Sequence, residues 1–362
     1  MYVMIVPEPH LWDRAIKTIP SYVVVMKDIM SQVRKIAEGL AEHDELTVIH
    51  MGDLFHKSVR DYDAGMDWYD YFCSLDDLTK HRQYTVLGNH ELSYPTKNPF
   101  WRFVDVKSEF VRSISSFKMH EDTIRRPIKL VDALKLGNTE FVFWHYGRDI
   151  SRYTTNAENV IILAHQSLIE KEIADILKNK YSRDQLEEIL DYRSLRSYGA
   201  LPRLPQIKYL FVGHMHSAYS RFQIQETMNG VNYNFVLQYL GSLGRTKAIE
   251  VRDDDLERTI PVFQLDDQGN YATCDKKIQL PGEGIVSKEQ VKINREAYHR
   301  AVEMRELKRS IQVIENPMVT LEREAEKYPW LQVLVAAADK HEPLPLLEEL
   351  LDKAMAPLPT LK

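Results

Sequence analysis

Histidines, carboxylates and one asparagine recur along the chain in short fragments, most of them directly after an apolar run. In order they are Glu8-Pro9-His10, Gly52-Asp53-Leu54-Phe55-His56, Gly88-Asn89-His90-Glu91, Ala164-His165-Gln166 and Gly213-His214-Met215-His216. Gly241-Ser242 trails them, and Trp144-His145 is the weakest of the set. Residues at the carboxyl ends of several strands can converge on one point. Carboxylate, amide oxygen and imidazole together suit hard and borderline divalent ions such as Mn²⁺. Two such ions held side by side would hydrolyse phosphate esters.

Two cations about 4 Å apart repel each other, so an anionic group must lie between them. Asp53, a short carboxylate on a tight glycine turn, is the candidate bridge. Glu8, His10 and His216 would complete one ion's ligands, and Asn89, His165 and His214 the other's. His214 and His216 fit that division, because alternate residues of an extended segment point the same way. His90 directly follows Asn89 and should face the substrate. With Glu91 to orient it and keep it protonated, His90 is the candidate general acid. His56 is the candidate for touching phosphate or positioning the nucleophile. His145 competes with His165 as a ligand. The cleaner apolar run Val160-Ile161-Ile162-Leu163-Ala164 favours His165, which leaves His145 to line the pocket. Ser242 and Arg245 are the remaining candidate substrate contacts. His43, His50, His81, His120, His299 and His341 read as surface or core. A single Gly-Asp or Asn-His means little, but here order, spacing and strand-end context agree.

The elements that must carry these residues are legible from periodicity. Residues 2–6, 46–51 and 84–87 are strand-like. Between them, residues 19–42 place Val25, Ile29, Val33, Ile36, Ala37 and Leu40 at helical spacing, and 64–80 is helical again. This βαβαβ rhythm predicts an α/β layered fold. Residues 130–136 and 139–144 flank Gly137-Asn138, while 160–163 and 209–212 deliver His165 and His214. Helical patterns are expected over roughly 167–180 and 183–192. Asn229-Gly230 predicts one hairpin, and Asp266-Asp267-Gln268-Gly269 predicts a second between 261–265 and 271–280. The expectation is a two-sheet sandwich flanked by helices over 1–282. Ser287 and Gln290 form a capping-box pattern that opens a small, mostly helical region over 283–362.

The chain has 362 residues, 44% hydrophobic and 28% charged, enough for a sizeable core. A net charge of −6 argues against a surface that coats nucleic acid generally. It does not exclude a nucleic-acid substrate, because bound metals supply positive charge locally. Only Cys73 and Cys274 are present, so no disulfide framework is expected and the cytoplasm is the simplest location. The short apolar start Met1-Tyr2-Val3-Met4-Ile5-Val6 reads as a buried strand rather than a signal peptide. No apolar run is long enough to cross a bilayer, so no membrane association is expected.

The joint motif set resembles the calcineurin-like metallophosphoesterases over about residues 1–280. Gly-Asp-Leu-Phe-His, Gly-Asn-His-Glu, Ala-His-Gln, Gly-His-Met-His and Tyr239-Leu240-Gly241-Ser242 more narrowly resemble the DNA repair exonucleases of the meiotic recombination eleven and SbcD type. That resemblance implies the metallophosphoesterase fold and two Mn²⁺ ions, with Mg²⁺ as the alternative, on the ligands given above. It also implies DNA exonuclease and endonuclease activity in double-strand-break repair or recombination. A coiled-coil ATPase partner of the structural-maintenance-of-chromosomes (SbcC) type, a homodimer and a nucleoid-associated place in the cytoplasm come with it. The alternative is a small-substrate phosphoesterase acting on a nucleotide, cyclic nucleotide or phosphoprotein. A second alternative is a catalytically weakened scaffold, since Glu8 stands where the family's first motif carries Asp. The tail also departs from larger relatives in being short. Arg295, Arg300, Arg305, Lys308 and Arg309 could contact a phosphate backbone there, or form a solvated helix face. Leu346, Leu347, Leu350, Leu351 and Ala354 form an apolar stripe that packs on this chain's own core or docks a partner helix.

Overall fold

The computed structural model describes residues 1–13, 22–56, 62–93, 98–114, 125–169, 195–197, 201–214, 221–228, 230–244 and 257–280, together with positions 326 and 335. The chain divides into two compact units, Met1–Ile285 and Val286–Lys362. The helices expected after Ser287 lie outside the described residues, apart from positions 326 and 335, both of which are helical.

The first unit alternates strands and helices at its start. They are β1 (Tyr2–Val6), α1 (Tyr22–Ala41), β2 (Leu46–His50), α2 (Tyr62–Leu78), β3 (Gln83–Thr85) and α3 (Asn89–Ser93). The short elements α4 (Phe100–Phe103), β4 (Val104–Val106), α5 (Glu109–Ser113) and β5 (Ile128–Leu130) follow. Next come β6 (Ala133–Leu136), β7 (Thr139–Trp144), β8 (Asn159–Ala164), β9 (Ser167–Ile169), β10 (Leu195–Ser197) and β11 (Ile207–Val212). The unit closes with β12 (Arg221–Met228), β13 (Val231–Tyr239), β14 (Glu257–Ile260), β15 (Val262–Leu265), β16 (Tyr271–Thr273) and β17 (Lys276–Gln279).

These strands build two large mixed sheets. One has seven strands in the order β16-β15-β1-β2-β3-β5-β4, and the other six in the order β12-β13-β11-β8-β7-β6. β1, β2 and β3 run parallel, as the βαβαβ pattern requires. β7, β8, β11 and β13 also run parallel to one another. Only the edges of the six-stranded sheet are antiparallel, at the expected hairpins β6–β7 and β12–β13.

Period-two alternation sorts each strand's residues into layers. Val3, Ile5, Ile49, Phe141, Phe143, Ile161, Leu163, Phe211 and Phe263 form one buried cluster drawn from both sheets. The alternate residues Met4, Val6 and Val48 pack on α1 and α2. Val142, Trp144, Val160, Ile162, Leu210 and Val212 pack on the other side of the six-stranded sheet. The architecture is therefore two sheets packed face to face, with the described long helices α1 and α2 on the outer side of the seven-stranded one. In α1 the buried residues are Tyr22, Met26, Ile29, Met30, Val33, Ala37 and Leu40, while the expected core positions Val25 and Ile36 sit half-buried at the edges of that stripe.

Two local expectations are corrected. Residues 167–169 form strand β9, paired in parallel with β10, where a helix was expected to start. The rest of the 167–180 pattern, and 183–192, lie outside the described residues. The single strand expected over 271–280 is split. β16 pairs with β15, whereas β17 pairs with β14. The break falls where the Cys274 amide donates to the Val262 carbonyl and Asp275 Oδ1 accepts from the Val262 amide, which diverts the chain to a new partner.

Candidate metal centre

The candidate residues sit just beyond the carboxyl ends of parallel strands, on loops or, for Asn89 and His90, in the first turn of α3. Glu8 and His10 follow β1, Asp53 follows β2, and Asn89 follows β3. His165 follows β8, His214 follows β11, and Ser242 follows β13. Three of them, His10 (φ 49°), Asp53 (φ 45°) and His214 (φ 67°), occupy the left-handed region that non-glycine residues avoid. Such strain persists only where the surroundings over-determine it. Here the loops are zipped together. The His10 amide donates to the Asp53 carbonyl at 3.1 Å, Leu11 to Leu54 at 2.8 Å and His56 to Leu11 at 3.0 Å. Gly88 has no room for a side chain, because a Cβ there would lie 2.6 Å from the Asp53 backbone nitrogen and would also strike its carboxylate.

Asp53 is fully buried and lies at the centre. Its Oδ1 accepts the His90 amide at 2.9 Å. Its Oδ2 accepts no hydrogen bond among the described residues. Instead it faces His165 Nε2 at 3.3 Å, His10 Nε2 at 3.7 Å and His90 Nε2 at 3.9 Å. On one side, Glu8 Oε2 is 3.4 Å from His10 Nε2. On the other, Asn89 Oδ1 is 3.1 Å from His165 Nε2 and 2.9 Å from His214 Nδ1. Two groups of potential ligands therefore share Asp53. They are Glu8, His10 and Asp53, and Asp53, His165 and His214. Ligand atoms each about 2.1 Å from one ion at a right angle would lie about 3 Å apart, close to these separations. The mixed oxygen–nitrogen set and the buried, unbonded carboxylate oxygen fit a pair of divalent ions.

The electrostatics point the same way. Burial alone would raise the Asp53 carboxyl, but the His165, His90 and His10 imidazoles outweigh it and hold the group well below the usual range. Burial also opposes a charge on His165, yet Asp53 and Glu8 raise it to about 10. The cluster thus draws in positive charge, which a metal ion would supply in place of protons. Burial and the neighbouring Asp53 carboxylate push Glu91 up to about 8. Of Asp53 and Glu91, Asp53 carries the charge.

Glu8 resolves its extra methylene by reaching across the centre. Its Oε1 accepts the His214 amide and lies 3.2 Å from His165 Nδ1. That nitrogen itself donates to the Met51 carbonyl at 2.8 Å, leaving Nε2 to face Asp53. A Cβ on Gly213 would collide with the Glu8 carboxylate, so the longer acid and the glycine are matched in size.

Three expected roles change. Glu91 does not orient His90. Its Oε1 accepts the Leu54 amide at 2.9 Å, and its Oε2 accepts Asp53 at 3.1 Å and Gly88 at 2.9 Å. The His90 ring is held instead through Nδ1, which donates to the His56 carbonyl. His145 does not line the pocket, because it is 0% exposed and both ring nitrogens engage backbone. Ser242, 2% exposed, shares its hydroxyl proton between the Glu8 and Gly244 carbonyls, at 3.0 and 2.7 Å, and so supports the Glu8 loop. His216 and Arg245 lie outside the described residues.

His56 and His90 stack obliquely with ring centroids 4.9 Å apart, and Trp12 packs on His56 at 5.0 Å. Tyr146 lies 5.7 Å from the His214 ring. Neither Trp12 nor Tyr146 was singled out in the sequence. Their only signal is that each lies one or two residues beyond a motif histidine.

The calcineurin-like phosphoesterase family profile matches residues 21–218. No curated protein sequence matches the chain. Among solved structures, a 5′-nucleotidase precursor from Thermus thermophilus is 11% identical with a TM-score of 0.36, covering 84% of this chain and 59% of its own. The chain thus spans 59% of that protein's length. The calcineurin-like phosphoesterase YfkN from Bacillus subtilis is 11% identical with a TM-score of 0.35, covering 83% of this chain and 97% of its own. Vps29 from Chaetomium thermophilum is 13% identical with a TM-score of 0.25, covering 78% of this chain and 100% of its own. At that level of similarity no relative's substrate transfers to this chain.

Proposed function

We propose, because this chain belongs to the calcineurin-like phosphoesterase family, that the cluster around Asp53 is a two-ion centre for hydrolysing phosphate esters. The observation that carries this reading is the buried Asp53 carboxylate, shared between Glu8 and His10 on one side and His165 and His214 on the other. Glu8, His10 and Asp53 would hold one ion, with His216 as a further candidate ligand. Asp53, Asn89, His165 and His214 would hold the other. When bound, the ions would supply Lewis acidity, lowering the pKa of water and neutralising charge on phosphoryl oxygens. Mn²⁺ is the first candidate and Mg²⁺ the second.

The protein's own groups handle position and protons. His90, 21% exposed, has its Nδ1 proton committed to the His56 carbonyl, so Nε2 is the atom that gives a proton to the leaving oxygen. His56, beside it, is placed to contact the phosphate. Glu8 remains within the cluster despite its length, which supports a ligand role over the weakened-scaffold reading.

Two substrate classes are proposed. A DNA phosphodiester is supported by Leu54-Phe55-His56 and by the Gly241-Ser242 turn next to Glu8. That reading brings with it the coiled-coil ATPase partner, a homodimer and a nucleoid location. A small phosphoester, such as a nucleotide, is supported by the extent of the family match. The match ends at 218, before the Gly-Ser turn, and so covers the general hydrolytic core alone. The net charge of −6 also favours a small substrate over an extended polyanion. Mn²⁺-dependent hydrolysis of p-nitrophenyl phosphate, bis-p-nitrophenyl phosphate and end-labelled linear duplex DNA, with Asp53→Asn as control, separates the classes. Digestion of the DNA selects the nuclease reading, and turnover of the small esters alone selects the other. Hydrolysis that survives in Asp53→Asn rejects the centre itself.

A further inference from the structure

We infer that His145 is a positioning residue that clips together the two loops carrying the second ion's ligands, Asn89 and His165. This rests on the two-ion reading above. His145 follows β7 in the six-stranded sheet, yet its ring reaches the loop after β3 in the seven-stranded sheet. Its Nδ1 accepts the Leu87 amide at 3.1 Å, two residues before Asn89. The next residue closes the clip, as the Tyr146 amide donates to the Leu87 carbonyl at 2.9 Å. Towards the other ligand, the Gln166 side-chain amide donates to the His145 carbonyl. The His165 amide donates to the Trp144 carbonyl at 3.0 Å. The tripeptide Trp144-His145-Tyr146 therefore fixes the backbone on both sides of the Asn89–His165 pair.

The clip needs a particular form of the imidazole. Nε2 donates to the Val131 carbonyl at 3.0 Å, so Nδ1 must be the unprotonated acceptor. The surroundings favour that neutral form. Burial first, and then the Arg148 guanidinium, hold His145 at about 3, although Asp132 opposes them. Arg148 is itself fixed by Asp132 Oδ1 at 3.1 Å and by the Phe143 carbonyl at 2.8 Å. The first ion's residues hang on links that do not pass through His145: the bridges Glu8–Ser242 and Leu11–Phe55, and the His214 amide that Glu8 Oε1 accepts. Loosening His145 should therefore disturb one ion and not the other, whereas general loss of core packing would disturb both.

Calorimetric Mn²⁺ titration of the full chain tests this, beside thermal unfolding. His145→Leu should weaken one of two binding events about 10- to 100-fold and leave the other unchanged. His145→Asn, whose amide oxygen stands near the position of Nδ1, should restore most of the loss. If His145→Leu does not fold, Gln166→Leu cuts the other arm of the clip and should show the same selective loss. Two unchanged binding events, two events weakened alike, or no rescue by asparagine would overturn the inference. A wild-type chain that binds fewer than two ions would instead overturn the two-ion reading, and the clip with it.

Discussion

At the scale of single residues, the centre is a matter of which atom faces which. Asp53 offers one oxygen to the His90 amide and turns the other to three imidazoles. Asp53→Asn keeps the size and the amide contact but removes the anion between the ions. It should abolish hydrolysis and weaken both Mn²⁺ events in calorimetry. His90→Ala should lower kcat on a phosphodiester by about 10²- to 10⁴-fold, the usual range for a lost general acid. Its two Mn²⁺ events should remain, because His90 is not assigned as a ligand, and an unchanged kcat would remove it from proton transfer. Glu8 and Gly213 make a size-matched pair. Gly213→Ala should destabilise the wild type, and shortening the acid with Glu8→Asp should recover part of that loss. A double-mutant cycle by urea unfolding should give a coupling of about 0.5–3 kcal/mol, and strict additivity would show that the two do not touch.

At the scale of elements, five-residue α3 does more than follow a turn. It sends Glu91 back under the loops of two adjacent strands, where the carboxyl group accepts amides from Asp53, Leu54 and Gly88. Asp53 and Leu54 are fully buried, and Gly88 is packed tightly against Asp53 and Glu91. Glu91→Leu would leave those amides unsatisfied, at about 1–3 kcal/mol for each buried group. The unfolding free energy should fall by at least about 2 kcal/mol, read from the urea midpoint at constant slope. A loss confined to kcat, with stability unchanged, would return Glu91 to the orienting role its place next to His90 suggests.

At the scale of the whole molecule, two buried histidines tie stability to pH. Burial holds His50 at about 4 despite its bond to Gln83, and burial with Arg148 holds His145 at about 3. Both are neutral when folded, while in the unfolded chain each takes up a proton near the ordinary value of about 6.5. Below that value the unfolded state binds more protons at these two sites, so their contribution to stability falls as pH falls. It is fully present above about 6.5, and His50's share is lost by the time pH reaches about 4. The slope from this pair approaches about 2.7 kcal/mol per pH unit. Glu91 and His165, both raised, pull the other way as pH rises, so the test is the difference between two proteins: from pH 7 to 5, His50→Gln should lose less stability in urea unfolding than the wild type does. A difference that stays constant across that range would mean that His50 charges freely in the folded protein.

Local sequence was enough to locate the strands that lead into the cluster around Asp53 and the two long helices, but not β9, β10, β14 or the break between β16 and β17. Period-two and helical patterns follow from backbone geometry, and the donors stand directly after apolar runs whose ends are visible. It ranked His165 above His145 only by the cleaner apolar run, and could not say what His145 does instead. Both follow apolar strands, and the register that pairs Trp144 with Ala164 sets them side by side. Sheet order makes the difference. β8 lies between β7 and β11, so His165 faces Asp53, whereas His145 turns to Leu87 and Val131. Glu91 was misjudged for the same reason. Adjacent residues on a helix point in different directions, and only the packing of α3 beneath the strand ends decides what each one meets. Types and spacing are local properties of a chain, but the partner of a buried polar atom is set by segments far away in sequence.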